Sequence, residues 1–217
     1  MAEIMTTHNY NKFNAVLQQS RLKVDGIAMV CSTALPALDE ACGAYHSYRD
    51  FIACGETQAK TGLSNLPLSP DTYNALYDLA VNIVNPVMDY FGGIELTSGF
   101  CSRELSKHIT HRVDPSRDQH ASHEVNTRGN LICKRLGAAC DFKVPDESML
   151  EVTQWIVENT PFDRLYFYGD DKPVHVSYGP ENNRAVVIMS ESAAGKLIPR
   201  NVKVEKFLAL SVSDLSL

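Results

Sequence analysis

The chain has 217 residues, of which 44% are hydrophobic and 21% charged, and its formal net charge is −6 with an isoelectric point near 5.6. This length and apolar content suffice for one domain with a proper hydrophobic core that needs no disulfide staples. The acidic balance argues against a surface that follows nucleic-acid phosphates, and the basic residues are scattered apart from Lys134 and Arg135. We therefore expect no nucleic-acid partner.

The N-terminal segment is polar and has no basic start followed by an apolar run, so it does not resemble a secretory signal peptide. Nowhere do roughly 18 apolar residues follow one another, and we expect no membrane span. These features predict a soluble protein that is made and kept in a cytoplasm. The six cysteines have irregular spacing and no CxxC pair, which favours buried thiols over a disulfide framework.

The first predicted elements are helical. Residues 1–45 alternate short apolar and polar patches, and we expect an N-terminal extension or a helical cap on the main domain. The clearest helix begins at Pro70, with Ser69 as its N-cap. Apolar residues recur along it every three or four positions until Gly92 ends it, and Pro86 should kink its last turns.

Beyond this helix the pattern changes to short strands, which we place at residues 94–100, 138–144, 164–168, 174–178 and 185–189. One more helix interrupts them, capped by Asp146 and closed before Pro161. Helices followed by strands with one inserted helix are typical of an α+β fold, and we expect a mostly antiparallel sheet with flanking helices. This domain is predicted to span residues 46–190, with 191–217 as a C-terminal tail.

Two predicted strands carry side chains that suit metal chemistry. Asp141 lies among small and apolar residues in GAACDF, and His175 lies in the middle of VHVSY. An unpaired buried carboxylate is costly, so Asp141 needs a cation or several hydrogen-bond donors. A histidine from a polar loop would complete a zinc site, because zinc accepts imidazole nitrogen and carboxylate oxygen. The segment RDQHASHE (117–124) offers His120 and His123.

Several motifs occur in an order that resembles a known family. They are ACGETQAKTGLSNLP at 53–67, NPVMDYFGGIELTSGFCSRELSKHI at 85–109, DQH at 118–120, GAACDF at 137–142, PFDRL at 161–165 and VHVSYGPENNR at 174–184. Over about residues 47–189 the chain is similar to the zinc D-alanyl-D-alanine carboxypeptidases and the L-alanyl-D-glutamate endopeptidases, which share the hedgehog/DD-peptidase fold. Within that group it resembles the short branch that is rich in phage proteins.

The resemblance implies one set of zinc ligands: His120, Asp141 and His175. Gln119 and His120 match a Gln-His pair of the family. His123 lies three residues further on, which makes it the alternative ligand or a histidine on the substrate side. In the family the loop histidine and the aspartate are close in sequence, whereas residues 121–136 intervene in this chain. We expect this insertion to loop out beside the metal.

One departure from the family concerns an arginine that helps to hold a substrate carboxylate or a developing oxyanion, a task suited to the fixed fork of guanidinium donors. This chain has Cys101 at that place. Arg103, two residues further on, is our first candidate for the role if the local turn differs. Arg117 and Arg128 in the expanded loop are the other candidates.

A second departure concerns the general base. Relatives carry an acidic residue shortly before the last histidine, but Lys172 occupies the position three before His175. Asp171 is our first candidate and Asp170 the second, because a tight hairpin could bring either carboxylate over the metal to take a proton from zinc-bound water. The other interpretation is that YGDDKP forms only a turn, which Gly and Asp favour. Glu124 is the next candidate.

The resemblance implies a zinc metallopeptidase of the D,D-carboxypeptidase or L-alanyl-D-glutamate endopeptidase type, which hydrolyses stem peptides of cell-wall peptidoglycan. It also implies a phage-encoded lysis protein, located in the host cytoplasm or in the virion. The alternative is a zinc protein of the same fold with a changed substrate or no peptidase activity, such as a virion component, a binding module or another small-molecule enzyme. The enlarged loop and the N-terminal addition favour the alternative, whereas we favour the peptidase.

Overall fold

The computed structural model describes residues 35–53, 55–109, 114, 116–192 and 195–215. The predicted N-terminal extension therefore lies outside the described residues up to position 34. Residues 36–217 form one compact unit. Within the described ranges, no helix is long and apolar enough to cross a membrane.

Short elements come first in this unit. Strand β1 (Ala41–Cys42) pairs antiparallel with β2 (His46–Ser47), and the helices α1 (Tyr48–Ile52) and α2 (Glu56–Thr61) follow. The Asp50 carboxylate accepts a hydrogen bond of 2.7 Å from the backbone N–H of Ser47, which satisfies a donor at the start of α1.

The long predicted helix is confirmed, but its middle is irregular. It consists of α3 (Pro70–Leu79), a π-helical segment (Ala80–Val84) and α4 (Asn85–Phe91). Pro86 explains the irregularity, because proline lacks an N–H and its ring collides with the carbonyl four residues earlier in a regular α-helix. The wider π-helical turn relieves that collision. Gly92 ends α4 with a φ of 86°, as the sequence predicts.

The remaining elements alternate between strands and short helices. In chain order they are β3 (Glu95–Ser98), α5 (Arg103–Ser106), a 3-10 turn (Gln119–Ala121), β4 (Ala138–Lys143), α6 (Met149–Asn159), β5 (Arg164–Phe167), β6 (Val174–Tyr178), β7 (Ala185–Glu191), β8 (Leu197–Val202), α7 (Val204–Leu208) and a second 3-10 turn (Val212–Leu215). Strands β3 to β8 form one sheet in the order β3-β4-β6-β5-β7-β8.

The α+β class is confirmed, but the expectation of a mostly antiparallel sheet needs correction because the sheet is mixed. Four neighbouring pairs are antiparallel, whereas β5 and β7 run parallel. The cause is the connection between β6 and β7. It crosses the start of β5, so that β7 lies on the side of β5 opposite to β6. Asp163 fixes this crossing, since its backbone donates to Ser177 O and accepts from the N–H of Ala185. A pattern of apolar residues marks strands but does not give their order.

Helix α6 begins two residues later than expected, so the prediction of Asp146 as its cap is wrong. Asp146 has a φ of 63°, and Ser148 is the N-cap, with its hydroxyl accepting from the N–H of Glu151. The predicted end before Pro161 is confirmed. Gln154 on α6 donates to three carbonyl groups at the end of α7, those of Phe207, Leu208 and Leu210.

The sheet has one apolar face and one mixed face. Cys140 and Phe142 of β4 and Val174 and Val176 of β6 are fully buried, on a part of the sheet that contacts α3. Because side chains alternate along a strand, Asp141 and His175 lie on the opposite face, where both remain partly exposed. The fold therefore presents these two side chains together on the mixed face.

Candidate metal centre

Three side chains from separate segments converge on one point. Asp141 on β4 is paired directly with His175 on β6, and the 3-10 turn brings His120 against both. The Oδ1 atom of Asp141 lies 3.2 Å from Nε2 of His120 and 2.8 Å from Nδ1 of His175, and the two imidazole nitrogens are 3.1 Å apart. The structure thus brings together the three ligands that the sequence predicts, and this group could hold a metal ion.

The hydrogen bonds of His120 prepare one of its nitrogens for a metal. Its Nδ1 lies 2.6 Å from the carbonyl oxygen of Gly99, a pure acceptor, so Nδ1 carries the proton. The lone pair of Nε2 is then directed at Asp141 and His175. A backbone carbonyl behind a histidine is the usual way to fix its tautomer and ring orientation in metal sites.

The spacing of the three donor atoms fits a tetrahedral ion. Around zinc with bonds of 2.0–2.1 Å, two donors lie roughly 3.3 Å apart. The observed separations of 2.8 to 3.2 Å are only slightly shorter. Two imidazoles and one carboxylate leave a further coordination position for water or a ligand, as in catalytic zinc sites. The residues present therefore fit a metal ion without a change of rotamer.

The electrostatics of the group without a metal are those of an ion pair. Burial opposes charge on Asp141, yet His120 and His175 outweigh it and hold the pKa of the Asp141 carboxyl well below its usual range. Burial alone would lower the pKa of His120, but the carboxylates of Asp141 and Asp118 raise it to about 9. A metal ion would take the place of the proton on His120 and face the same ionised carboxylate.

A buried polar network holds the turn that carries His120. Gln119, which is 1% exposed, donates from Nε2 to Leu136 O and to Asp163 Oδ2, and its Oε1 accepts from the hydroxyl of Ser177. The Asp118 carboxylate caps the turn by accepting from the N–H of His120. Each polar group of the Gln119 side chain therefore has a partner, and the turn is fixed against β6.

The bulge in β3 supplies the carbonyl behind His120. The register of β3 against β4 shifts between Leu96 and Ser98, which leaves Thr97 as the extra residue. The Thr97 hydroxyl donates to the carbonyl of Asp141, and Gly99 follows at the end of the strand. Bulges often re-aim a chain next to a functional site. This one directs the Gly99 carbonyl at the imidazole.

The segment around Gly99 is fixed from the other side by Asn65, which is 3% exposed. Its amide donates to the carbonyls of Ile52 and Phe100, and its Oδ1 accepts from the N–H of Ser102, each at 2.7 Å. Asn65 belongs to the motif ACGETQAKTGLSNLP that carried the resemblance. Its role in the structure is to hold the chain that leads from β3 to α5.

The insertion folds back on itself next to the metal centre. Val125 and Leu131 form an isolated antiparallel bridge, and the Ser122 hydroxyl donates to the Gly137 carbonyl at 2.7 Å. His123 does not join the three donors. Its Nε2 accepts from the N–H of Gly137, and burial lowers the pKa of His123, with Asp71 and other carboxylates opposing this shift.

The arginine candidates from the sequence stay apart from the three donors. Arg103 is exposed on α5, and Arg117 and Arg128 are also exposed. Arg135 contacts this region, and its Nη1 donates to Arg117 O and to the hydroxyl of Tyr166. The Tyr166 ring meets the His175 ring edge-on at 5.0 Å. Cys101 is buried.

None of the three candidate bases joins the group of donors. The Asp170 carboxylate accepts from the hydroxyl of Ser148 and the N–H of Leu150, so it serves the N-terminus of α6. Glu124 accepts from the N–H groups of residues 68 and 69 and from the Thr72 hydroxyl, so it serves the N-terminus of α3. Ser69 is the N-cap residue of α3, as predicted, but its side chain makes no capping hydrogen bond. The Asp171 side chain is 79% exposed and pairs with Lys172.

A cavity of about 380 Å³ adjoins Asp141. Its polar lining consists of Thr97, Asp141, Tyr168, Lys172 and Glu191. The sequence analysis did not single out Tyr168, although one signal was available. In RLYFYG, Tyr166 and Tyr168 are two residues apart, so they lie on the same face as His175 once β5 and β6 pair.

Comparisons of the chain with protein-family models, with curated proteins and with solved structures find no match.

We expect the purified protein to bind one metal ion per chain, because three oriented donors meet at one point. Elemental analysis should give near-stoichiometric metal and would separate zinc from iron, for which two histidines and a carboxylate also serve. His175→Ala should lose the metal. His123→Ala is the matched control and should keep it. Full metal content in the His175 variant would rule out this ligand set.

Gln119→Leu should destabilise the protein, because the apolar side chain removes the donor to Leu136 O and Asp163 Oδ2 and the acceptor of the Ser177 hydroxyl. Loss of this network should cost about 2 kcal/mol, which corresponds to a fall of about 4–8 °C in melting temperature for a chain of this size. Gln58→Leu on α2 is a control, since Gln58 makes one long hydrogen bond of 3.5 Å. Equal melting temperatures of the two variants would contradict a structural role for Gln119.

Proposed function

We propose that the protein is a zinc metallopeptidase that hydrolyses stem peptides of peptidoglycan. The observation that carries the proposal is the meeting of His120, Asp141 and His175 with their donor atoms 2.8 to 3.2 Å apart. The collinear motifs that resemble zinc DD-peptidases support zinc as the ion and peptides as the substrate. They also support the hedgehog/DD-peptidase fold, with which the α+β arrangement is compatible.

The chain's own residues would divide the work as follows. His120, Asp141 and His175 would hold the ion, and the Gly99 carbonyl would keep His120 in the tautomer that can bind it. A bound zinc ion supplies Lewis acidity, which polarises a carbonyl group and lowers the pKa of a water molecule to near neutrality. The ionised Asp141 carboxylate would offset part of the charge of the ion.

For the general base we keep Asp171. Asp170 is bound to the N-terminus of α6, and Glu124 to that of α3, so both carboxylates already have structural partners. Asp171 pairs with Lys172, whose side chain lines the cavity next to Asp141. An exposed ion pair of this kind contributes little stability and can be exchanged for a substrate contact. Asp171 would take a proton from the attacking water and pass it to the amine that leaves.

The size of the cavity suits a short peptide. Pockets that bind small molecules measure roughly 300–1,000 Å³, and the cavity beside Asp141 has about 380 Å³. Pro173, Met189 and Leu197 give it an apolar side, which suits alanine side chains. A phage-encoded protein acting in the host cell or from the virion agrees with this substrate, as the resemblance implies.

One observation favours a second candidate function, a zinc protein of this fold with a changed substrate or no peptidase activity. Cys101 is buried at the place of the family's arginine, and Arg103 is exposed on α5. At that place, the described residues would therefore offer a substrate carboxylate a different cation or no cation. Such a protein would bind the metal and leave peptidoglycan intact.

The proposal is tested by digestion of purified peptidoglycan and of a synthetic stem pentapeptide, with product analysis by mass spectrometry. We expect cleavage by the zinc-loaded protein, loss of cleavage with a chelator, and recovery when zinc is returned. Release of D-alanine would identify a carboxypeptidase, and a new amino terminus on D-glutamate would identify an endopeptidase. His175→Ala should be inactive, whereas His123→Ala keeps activity. Stoichiometric zinc without any cleavage would support the second candidate.

Asp171→Asn tests the general base. The variant should keep its metal, because Asp171 is not a ligand, and turnover should fall by about 100-fold, the scale of general base catalysis. Asp170→Asn is the matched variant from the same turn. It should reduce the free energy of unfolding by about 1 kcal/mol and so lower the melting temperature, since it removes a negative charge at the start of α6. Equal turnover of Asp171→Asn and wild type would refute this assignment.

A further inference from the structure

Tyr168 carries a hydroxyl group that faces the cavity next to Asp141. Its side chain lines the cavity together with Asp141. Within the described part of the chain, the hydroxyl has no hydrogen-bond partner, and it is accessible to solvent. A half-buried tyrosine usually finds a partner for its O–H group. A ligand in the cavity would be able to accept a hydrogen bond from this hydroxyl.

The other polar groups of the cavity wall are a hydroxyl with a partner, a charged ammonium group and two carboxylates. The Thr97 hydroxyl donates to the carbonyl of Asp141 at 3.2 Å. Lys172 is paired with Asp171, and its side chain is 59% exposed. Glu191 is an acceptor when ionised. Among the described residues that line the cavity, Tyr168 is therefore the neutral donor that remains open to a ligand.

Tyr168 lies on the same face of the sheet as the candidate metal centre. Tyr166 lies directly across from His175, which in turn lies across from Asp141. Tyr168 follows two residues later, about 7 Å along the same face, just beyond the end of β5. Gly169, with a φ of 136°, then turns the chain towards β6. Tyr168 thus lies at the start of the turn that connects β5 with β6, the strand that carries His175.

We propose that Tyr168 is a catalytic residue whose hydroxyl donates a hydrogen bond to the acyl oxygen of a ligand bound between the cavity and the His120, Asp141 and His175 group. The ligand class is a short peptide or another acyl compound with a small apolar side chain, which Met189 and Leu197 contact. This inference rests on the proposed function for the reaction but makes its own claim about the binding of the ligand oxygen.

The hydrogen bond would gain strength during hydrolysis. As the water oxygen bonds to the carbonyl carbon, the π electrons move onto the carbonyl oxygen, which becomes negative. When the carbon–nitrogen bond breaks, these electrons return, and the amine nitrogen takes the proton that the water lost. Tyr168 keeps its own proton throughout. Preorganised donors aimed at such an oxygen are among the largest contributions to catalysis.

The surroundings of Tyr168 keep it a donor. Burial raises the pKa of the Tyr168 hydroxyl well above its usual range, and the negative charge of Asp141 adds to the effect. A tyrosine hydroxyl is in any case protonated at neutral pH. The Tyr168 hydroxyl would thereby supply a hydrogen bond to the ligand oxygen, for which the thiol of the buried Cys101 is only a weak donor.

The experiment measures the binding of acetohydroxamic acid to the zinc-loaded protein by calorimetry, which needs no turnover. Tyr168→Phe should keep stoichiometric zinc and the wild-type melting temperature but bind the probe at least about 10-fold more weakly, the effect of one hydrogen bond to a charged oxygen. Tyr168→Leu, which also lacks the donor, should show the same loss. Tyr90→Phe is the matched control, because Tyr90 is 66% exposed on α4 and stacks on Trp155.

Equal binding of the probe by wild type and Tyr168→Phe would overturn the inference, and so would a wild-type protein that does not bind the probe or a Tyr168→Phe variant that loses zinc. With the stem pentapeptide, kcat of Tyr168→Phe should fall by about 100-fold while KM stays close to wild type. A protein that binds the probe through Tyr168 but cleaves no peptide would refute the peptidase and leave Tyr168 as the donor to the ligand oxygen.

Discussion

The register of β4 against β6 is the constraint on which the candidate metal centre depends. It places Asp141 opposite His175, and a slip of either strand by one residue would turn its side chain to the apolar face and separate the pair. Close contacts at the end of the pair prevent such a slip. A Cβ atom on Gly137 would lie 2.1 Å from Tyr178 O, and one on Gly179 would lie 2.5 Å from Leu136 O. Only glycine allows the two chains to approach this closely, and the Gln119 network closes the same end.

Much of the site could be predicted from local sequence. Asp141 and His175 are conspicuous because each is a polar residue in an apolar strand, where a charge without a partner is costly. The choice of His120 over His123 came from the resemblance to the family, and the geometry agrees with it, since His120 contacts both partners. The class of fold was also accessible, because helical and strand periodicities differ.

Other features depend on contacts between distant segments and left no such signal. The parallel pairing of β5 with β7 results from the crossing at Asp163, which no periodicity reveals. Asp170 and Glu124 looked like candidate bases because they are acidic and close in sequence to the ligands. Each carboxylate instead satisfies donors at a helix N-terminus, which are unpaired by the geometry of the helix itself. The helix ends that they serve lie at least 20 residues away in the chain.

Hydrogen bonds hold the two ends of the insertion between His120 and β4. Ser122 is bonded to Gly137 there, and Glu124 ties the same arm to α3, so the ends of the loop are fixed independently of what lies between them. The entropic cost of a longer loop grows only slowly, by about 0.6 kcal/mol for each doubling. The tip around residues 126–130 is therefore a place where evolution or an engineer can graft a new recognition segment next to the metal ligands without disturbing them.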